Sequence, residues 1–245
     1  PKLIEMELMT KFFIFISFVS TVAGACSDPN TVKLCYNLYM ESYELTIDPF
    51  PDYRAYKTVR EMMLVEQGPA GQTTACNYTN TLIACIGALE SSCITTDQFG
   101  TYFNVTPADI PQFVQDYYMM KYTCNAGYDD AMKYFYCMEQ VGLYHTDNLI
   151  NCSDTLQNAL SNGGGCPDYD QYITCMIQVF TGYCGPDIQN YICNLESDGI
   201  VGADSNCQGQ LQTCPTPGFK FHLGGKFQRM KQAMKVLNKG YHIFP

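Results

Sequence analysis

The sequence predicts an all-α protein of short, disulfide-stapled helices with a basic C-terminal tail. Three observations lead to this fold class. Fourteen cysteines recur along the chain, several of them nine positions apart. Apolar residues repeat with helical periodicity in several segments, and the period-two alternation of a half-buried strand is nowhere sustained. Helix is therefore the dominant element expected.

The first segment with a clear function is an apolar run, Phe12 to Val22, which follows Lys11 and ends at Ala23-Gly24-Ala25. A basic residue, a short apolar run and small residues before a cleavage point are typical of a signal peptide. The run is shorter than the roughly 20 apolar residues that a membrane span needs. We therefore assign residues 1–25 to an upstream segment and signal peptide, and expect a secreted, extracellular protein.

The cysteines all follow that segment, at Cys26, Cys35, Cys76, Cys85, Cys93, Cys124, Cys137, Cys152, Cys166, Cys175, Cys184, Cys193, Cys207 and Cys214. An even number of cysteines behind a signal peptide is typical of a disulfide framework. Structural zinc sites use close cysteine pairs or histidine companions, and even Cys207 and Cys214 have six residues between them. All fourteen are therefore predicted to form disulfides, without bound metal, and the spacing leaves their pairing open.

One repeat is visible among them: segments 76–93 and 166–184 each carry three cysteines at steps of eight or nine residues. Nine residues turn a helix through about 180°, so two such cysteines face opposite sides. A helix of this kind can be stapled to a neighbour on each flank.

Four helices are predicted from periodicity and caps. They are a helix over 77–91; one that starts at Thr106-Pro107 or near Pro111 and buries Ile110, Phe113, Val114 and Tyr117; one from Asp129 to a C-terminal cap at Gly142; and one over 168–180. The glycines of Asn162-Gly163-Gly164-Gly165 predict a break. This break separates a lobe 26–161 with eight cysteines from a lobe 166–214 with six, so each lobe can close its own bridges.

Charge separates a third part of the chain. Between Cys26 and Cys214 there are six basic and 22 acidic residues, whereas the tail 215–245 has six basic residues and no acidic one. Such an acidic body gives no reason to expect a nucleic-acid partner. The tail contains an amphipathic helix pattern that can bind an anionic membrane or dock on the acidic body, and it can equally be a flexible end.

Catalytic chemistry has few candidates in this sequence. A general base is most often histidine, and His145 is the one histidine between Cys26 and Cys214. It follows a predicted helix end, where a surface-loop role is the simpler interpretation. No catalytic residue and no cofactor are therefore assigned, and we expect a protein that is not an enzyme.

Three glycosylation motifs are present, at Asn77, Asn104 and Asn151. In a secreted chain each is expected to lie at the surface. Asn151 differs from the other two because Cys152 forms the middle of its motif, and a bridge there competes with glycan addition.

With its C-x8-C spacings and helical spacers such as NTLIACIGALESSC, the region from Cys26 to Cys214 resembles a cysteine-rich secreted domain of unknown function that is expanded in nematodes and found in other invertebrates. This resemblance implies an extracellular, helical, disulfide-rich fold and brings no catalytic residues.

Three functional hypotheses follow. The first is a secreted non-enzymatic binding or structural protein, whose partner is an extracellular protein, a glycan or a small apolar ligand. The second is an extracellular carrier of a small lipophilic ligand, since stapled helices rich in Met, Tyr and Phe can enclose an apolar cavity. The third is a secreted hydrolase that uses unidentified acidic residues.

Overall fold

A computed structural model describes residues 25–214 of the chain, and within this range the fold is entirely helical, as predicted. The α-helices are Pro29–Glu41 (α1), Tyr53–Gln67 (α2), Pro69–Ile86 (α3), Glu90–Cys93 (α4), Thr96–Tyr102 (α5), Asp109–Thr123 (α6), Tyr128–Tyr144 (α7), Thr146–Ser161 (α8), Cys166–Cys184 (α9) and Gln189–Ala203 (α10). Single 3₁₀ turns lie at Gly87–Leu89, Pro186–Ile188 and Ser205–Cys207. Among these helices, none combines the length and the hydropathy that a membrane span requires. The predicted signal peptide and the tail 215–245 lie outside the described residues.

Short polar residues start several of the helices. The Asp28 carboxylate accepts a bond from the Thr31 backbone N–H at 3.0 Å, and the Asp52 carboxylate accepts one from the Ala55 N–H at 2.7 Å. Each bond satisfies a backbone donor that has no partner inside the helix. The boundaries of α1 and α2 thus follow from local chemistry.

The helix predicted over 77–91 is longer at one end and shorter at the other. It begins at Pro69, because Gly68 takes φ +60° to end α2 and proline suits the first helical turn. It ends at Ile86, where Gly87 takes φ +51° and a 3₁₀ turn leads into α4. The chain therefore bends within the predicted segment.

The helix boundaries predicted around Pro111 and Gly142 also shift. α6 begins at Asp109, whose backbone N–H donates a hydrogen bond to the Thr106 hydroxyl oxygen at 3.3 Å. The start of α6 therefore falls between the two predicted alternatives. α7 runs past Gly142, and its cap is the bond from the His145 N–H to the Val141 carbonyl at 3.0 Å. The prediction of Gly142 as a C-terminal cap was wrong, because glycine lowers helix propensity without forbidding continuation.

Two apolar cores lie within the unit that these helices form. The first core, from α1 to α6, is rich in aromatic rings and includes Tyr36, Tyr39, Phe50, Tyr56, Phe99, Phe103, Phe113 and Tyr117. The second core, from α7 to α10, includes Ala131, Tyr134, Cys152, Met176, Ile188, Tyr191 and Ile192. Three of the four residues in the predicted α6 stripe, Phe113, Val114 and Tyr117, are buried in the first core, and Ile110 is half-buried at its edge.

Helix α10 packs along α6 and so links the two cores. Two glycines of α10 allow this close approach: Gly199 lies against Met119, and Gly202 lies against the ring of Tyr118. A side chain on either glycine would overlap its neighbour. The backbones can therefore approach closely only because both positions lack a Cβ.

Disulfides hold these helices together, and all fourteen cysteines are disulfide-bonded. The described pairs are Cys26–Cys93, Cys35–Cys85, Cys76–Cys124, Cys137–Cys184, Cys152–Cys175 and Cys166–Cys207, and Cys193 and Cys214 are bonded as well. The stapling predicted for segments 76–93 and 166–184 is confirmed. The three cysteines of α9 reach α7, α8 and the 3₁₀ turn after α10.

The bridges divide the chain at a different place from the glycine run. The six cysteines from Cys26 to Cys124 pair with one another, whereas Cys137–Cys184 and Cys152–Cys175 cross residues 162–165. The lobes 26–161 and 166–214 therefore do not close their own bridges. The glycines do separate two helices, α8 and α9, and the assignment of two lobes stays a prediction.

Candidate functional site

The most elaborate polar site in the described part of the chain is an ion pair inside the first core. Arg60 of α2 and Asp116 of α6 are each only 7% exposed. Arg60 Nη1 donates to Asp116 Oδ2 at 2.7 Å, and Nη2 donates to Oδ1 at 2.5 Å. This two-bond geometry is the strongest arrangement for an arginine and a carboxylate.

Three tyrosines complete the site. Tyr56 donates to Asp116 Oδ2 at 3.0 Å and accepts from Arg60 Nη1 at 2.6 Å, while the Tyr39 and Tyr56 hydroxyl oxygens lie 2.7 Å apart. Tyr53 donates to Asp116 Oδ1 at 3.3 Å. Asp116 thereby receives four hydrogen bonds, which fill the acceptor positions of a carboxylate. We call Arg60, Asp116, Tyr39, Tyr53 and Tyr56 the ion-pair network.

Burial governs the electrostatics of this network. It raises the pKa of Tyr56 well above the ordinary value, and it raises that of Tyr53, with Asp116 adding to the effect. Burial alone would lower the pKa of Arg60, but Asp116 and Tyr56 hold it above its ordinary value. Tyr53 and Tyr56 are therefore neutral donors and the arginine is a fixed cation, so the network holds α2 against α6.

A small cavity of about 10 Å³ adjoins the network. Its walls come from α1, α2, α3 and α6 and are formed by Tyr36, Tyr39, Met40, Tyr56, Thr79, Leu82, Phe113, Asp116, Tyr117 and Met120. The hydroxyl groups of Tyr36 and Thr79 are buried here without a hydrogen-bond partner.

A second unusual carboxyl group, Glu196 of α10, is 2% exposed. Burial raises its pKa to about 7, although Tyr172 donates a hydrogen bond to it and Lys57 attracts its charge. Glu139 of α7 also has a pKa raised to about 7, by burial and by the charge of Glu61. These two groups can take up protons near neutral pH, but Glu196 has no surface from which a substrate could reach it.

His145 lies at the junction of α7 and α8 rather than in a surface loop. Its ring is half-buried and stacks on Tyr183, with 3.5 Å between ring centres. Asn148 donates to the Tyr183 hydroxyl at 3.1 Å. His145 thus packs against an aromatic ring and is not paired with a carboxylate or a nucleophile in any contact that the structure gives.

The three predicted glycosylation asparagines are all exposed but lie in different settings. Asn77 lies in the middle of α3 and Asn151 in α8, whereas Asn104 lies in the loop between α5 and α6. Thr79, the hydroxyl residue of the first motif, is only 1% exposed. The structure therefore distinguishes three motifs that look equivalent in sequence.

Sequence reasoning missed the ion-pair network. A signal for half of it was present: Asp116 falls within the stripe of Phe113, Val114 and Tyr117, where a charge must be compensated if it is buried. Nothing in the pattern pointed to Arg60, which lies 56 positions away.

Among residues 25–214, no three His, Cys, Asp or Glu side chains lie close enough together to hold a metal ion. Comparisons with protein-family models, curated proteins and solved structures found no match to the chain. The resemblance to the cysteine-rich secreted domain accordingly stays a prediction.

Proposed function

We propose that this protein is a secreted, non-enzymatic binding or structural protein of the extracellular space. The observation that carries the proposal is the disulfide frame. Within it, the single helix α9 is bonded to α7, to α8 and to the 3₁₀ turn after α10. Bridges of this density are typical of proteins that function in oxidising compartments. A frame of this kind presents fixed surfaces, which lowers the entropy cost of binding a partner.

The surface charge supports one class of partner. From residue 134 to residue 214 the sequence has nine Asp and Glu residues and no Lys or Arg. Asp147 and Asp154 of this stretch are exposed on α8. A surface of one sign attracts partners of the other sign and raises their rate of association. We therefore expect a partner that presents basic groups.

The two alternatives have less support. A lipophilic ligand occupies a mainly apolar pocket of about 300 Å³ or more. The cavity in the first core measures about 10 Å³, and a pocket of about 280 Å³ on α9 is lined mostly by polar residues: Asp170, Gln171, Thr174, Cys175 and Gln178. A hydrolase that used acidic residues would need them at a surface. Asp116 and Glu196 are both more than nine-tenths buried, which leaves the half-buried Glu139, whose pKa is raised to about 7 by burial and by the charge of Glu61, as its one candidate of raised pKa named above. Native mass spectrometry with a retained lipid would restore the carrier hypothesis.

The test is a binding measurement on the disulfide-intact protein against panels of extracellular proteins and glycans at low and at physiological salt. We expect saturable binding that weakens as salt rises, and that weakens further in the variant Asp147→Asn/Asp154→Asn. The matched control is Glu41→Gln/Glu44→Gln, which removes two exposed charges beside the first core. An equal loss of binding affinity in both variants would show that the acidic surface of α8 is not the binding surface. Turnover in a screen of extracellular substrates would overturn the proposal that the protein is not an enzyme.

A further inference from the structure

The cavity beside the ion-pair network has the size of a water molecule, and two of its wall residues have buried hydroxyl groups without a hydrogen-bond partner. Its volume of about 10 Å³ is at the lower end of what one water molecule occupies. Two of its wall residues, Tyr36 and Thr79, are 2% and 1% exposed and have hydroxyl groups without a partner. Buried hydroxyl groups are almost always hydrogen-bonded, because burial removes their contact with solvent.

The hydrogen bonds of the network also determine which oxygen atoms of the cavity wall can accept a further hydrogen bond. Tyr56 donates its proton to Asp116, so in the contact between the Tyr39 and Tyr56 hydroxyls the donor must be Tyr39. The Tyr39 oxygen therefore keeps its two lone pairs for other donors, of which the neighbouring Tyr43 hydroxyl can take one. Asp116 cannot serve in this way, because four donors already surround it.

We propose that this cavity is a binding site for a single internal water molecule. The water accepts hydrogen bonds from the hydroxyl groups of Tyr36 and Thr79 and donates one to the Tyr39 oxygen. Three polar partners are the usual number for a buried water. The bound water extends the ion-pair network from α1, α2 and α6 to α3, so these four helices share one chain of hydrogen bonds.

The direct test is a high-resolution crystal structure together with a count of long-lived internal waters by ¹⁷O magnetic relaxation dispersion. We expect one density peak within about 3.2 Å of the Tyr36 and Thr79 hydroxyl oxygens. Thr79→Val has nearly the same shape without the hydroxyl, so it should lose that peak and lower the count by one. Thr79→Ser keeps the hydroxyl and should keep the water.

Two further variants control this test. Thr79→Val also removes the glycosylation motif of Asn77, so Asn77→Gln, which removes the motif alone, should retain the water. Tyr36→Phe removes the second donor and should also lower the count of internal waters by one. This variant keeps the test available if Thr79→Val does not fold. A dry cavity in the wild-type protein, or a peak that persists in both Thr79→Val and Tyr36→Phe, would overturn the proposal.

Discussion

The two cores bury a carboxyl group in opposite ways. In the first core Asp116 meets a cation, Arg60, and three tyrosine donors belong to the same network. Beside the second core Glu196 has one hydrogen bond from Tyr172, and one of its oxygens has no partner. The first arrangement places the carboxyl group against a cation, while the second favours the neutral acid and raises the pKa of Glu196 to about 7.

The difference follows from composition. The six basic residues of the region from Cys26 to Cys214 all lie before residue 134, so α8, α9 and α10 contain no cation of their own. A buried carboxyl group in those helices depends on cations from other helices, and the attraction of Lys57 of α2 lowers the pKa of Glu196 by less than burial raises it. Stability that changes with pH near neutrality is therefore expected beside the second core, at Glu196.

The largest effect should come from breaking the ion-pair network. Arg60→Met keeps much of the volume and leaves Asp116 buried without its cation, which should lower the free energy of unfolding by about 3–5 kcal/mol. Adding Asp116→Leu should recover much of that loss, because the uncompensated charge is then gone. Urea denaturation of both variants measures the two values, and a double variant no more stable than the single one would contradict this account.

At Glu196 we expect a substitution to raise the free energy of unfolding, by less than Arg60→Met lowers it. The pKa of Glu196 is 4.5 ordinarily and about 7 in the fold, so the folded state binds the proton more tightly. The stability this contributes is fully present below pH 4.5 and is lost as pH rises to about 7. Glu196→Gln should therefore match the wild type near pH 4 and be more stable at pH 8 by roughly 3 kcal/mol.

Denaturation at pH 4, 6 and 8 tests this expectation. Asp154→Asn, which neutralises an exposed carboxylate on α8, is the matched control and should show no comparable gain. A constant difference between Glu196→Gln and the wild type at all three pH values would show that packing, and not protonation, sets the effect.

The two carboxyl groups also show what the sequence can predict. Cysteine spacing and apolar periodicity are local, and they correctly indicated the stapled helices at 76–93 and 166–184 and the buried face of α6. The pairing of Arg60 with Asp116, like the pairing of Cys137 with Cys184, joins residues about fifty positions apart. Such pairs depend on how helices pack, which no local pattern contains.

A third prediction concerns the contact that joins the two cores. Gly202→Ala places a methyl group into the ring of Tyr118, which should destabilise the protein by about 1–3 kcal/mol through overpacking. Gly182→Ala in α9 is the control, because nothing lies within 4 Å of its added methyl group. That variant should be stabilised by about 0.5–1 kcal/mol. Thermal unfolding of both separates steric overlap from helix propensity.

The last prediction compares glycosylation at a loop motif with glycosylation at two helical motifs, and it involves little change in stability. An acceptor motif pairs Asn with the hydroxyl residue two positions later, and the enzyme must reach both. Asn104 and Thr106 are exposed in a loop, so they stay accessible after folding. Asn77 adjoins the Cys76–Cys124 bridge and needs the buried Thr79, and Asn151 adjoins the Cys152–Cys175 bridge.

In a eukaryotic secretory host, peptide mapping should therefore find Asn104 more fully occupied than Asn77 or Asn151. Mild reductant during synthesis delays both bridges and should raise occupancy at Asn77 and Asn151 while leaving Asn104 unchanged. The variant Thr106→Ala identifies the glycan on Asn104 by removing it. Equal occupancy at all three sites with and without reductant would mean that glycans are added before either core folds.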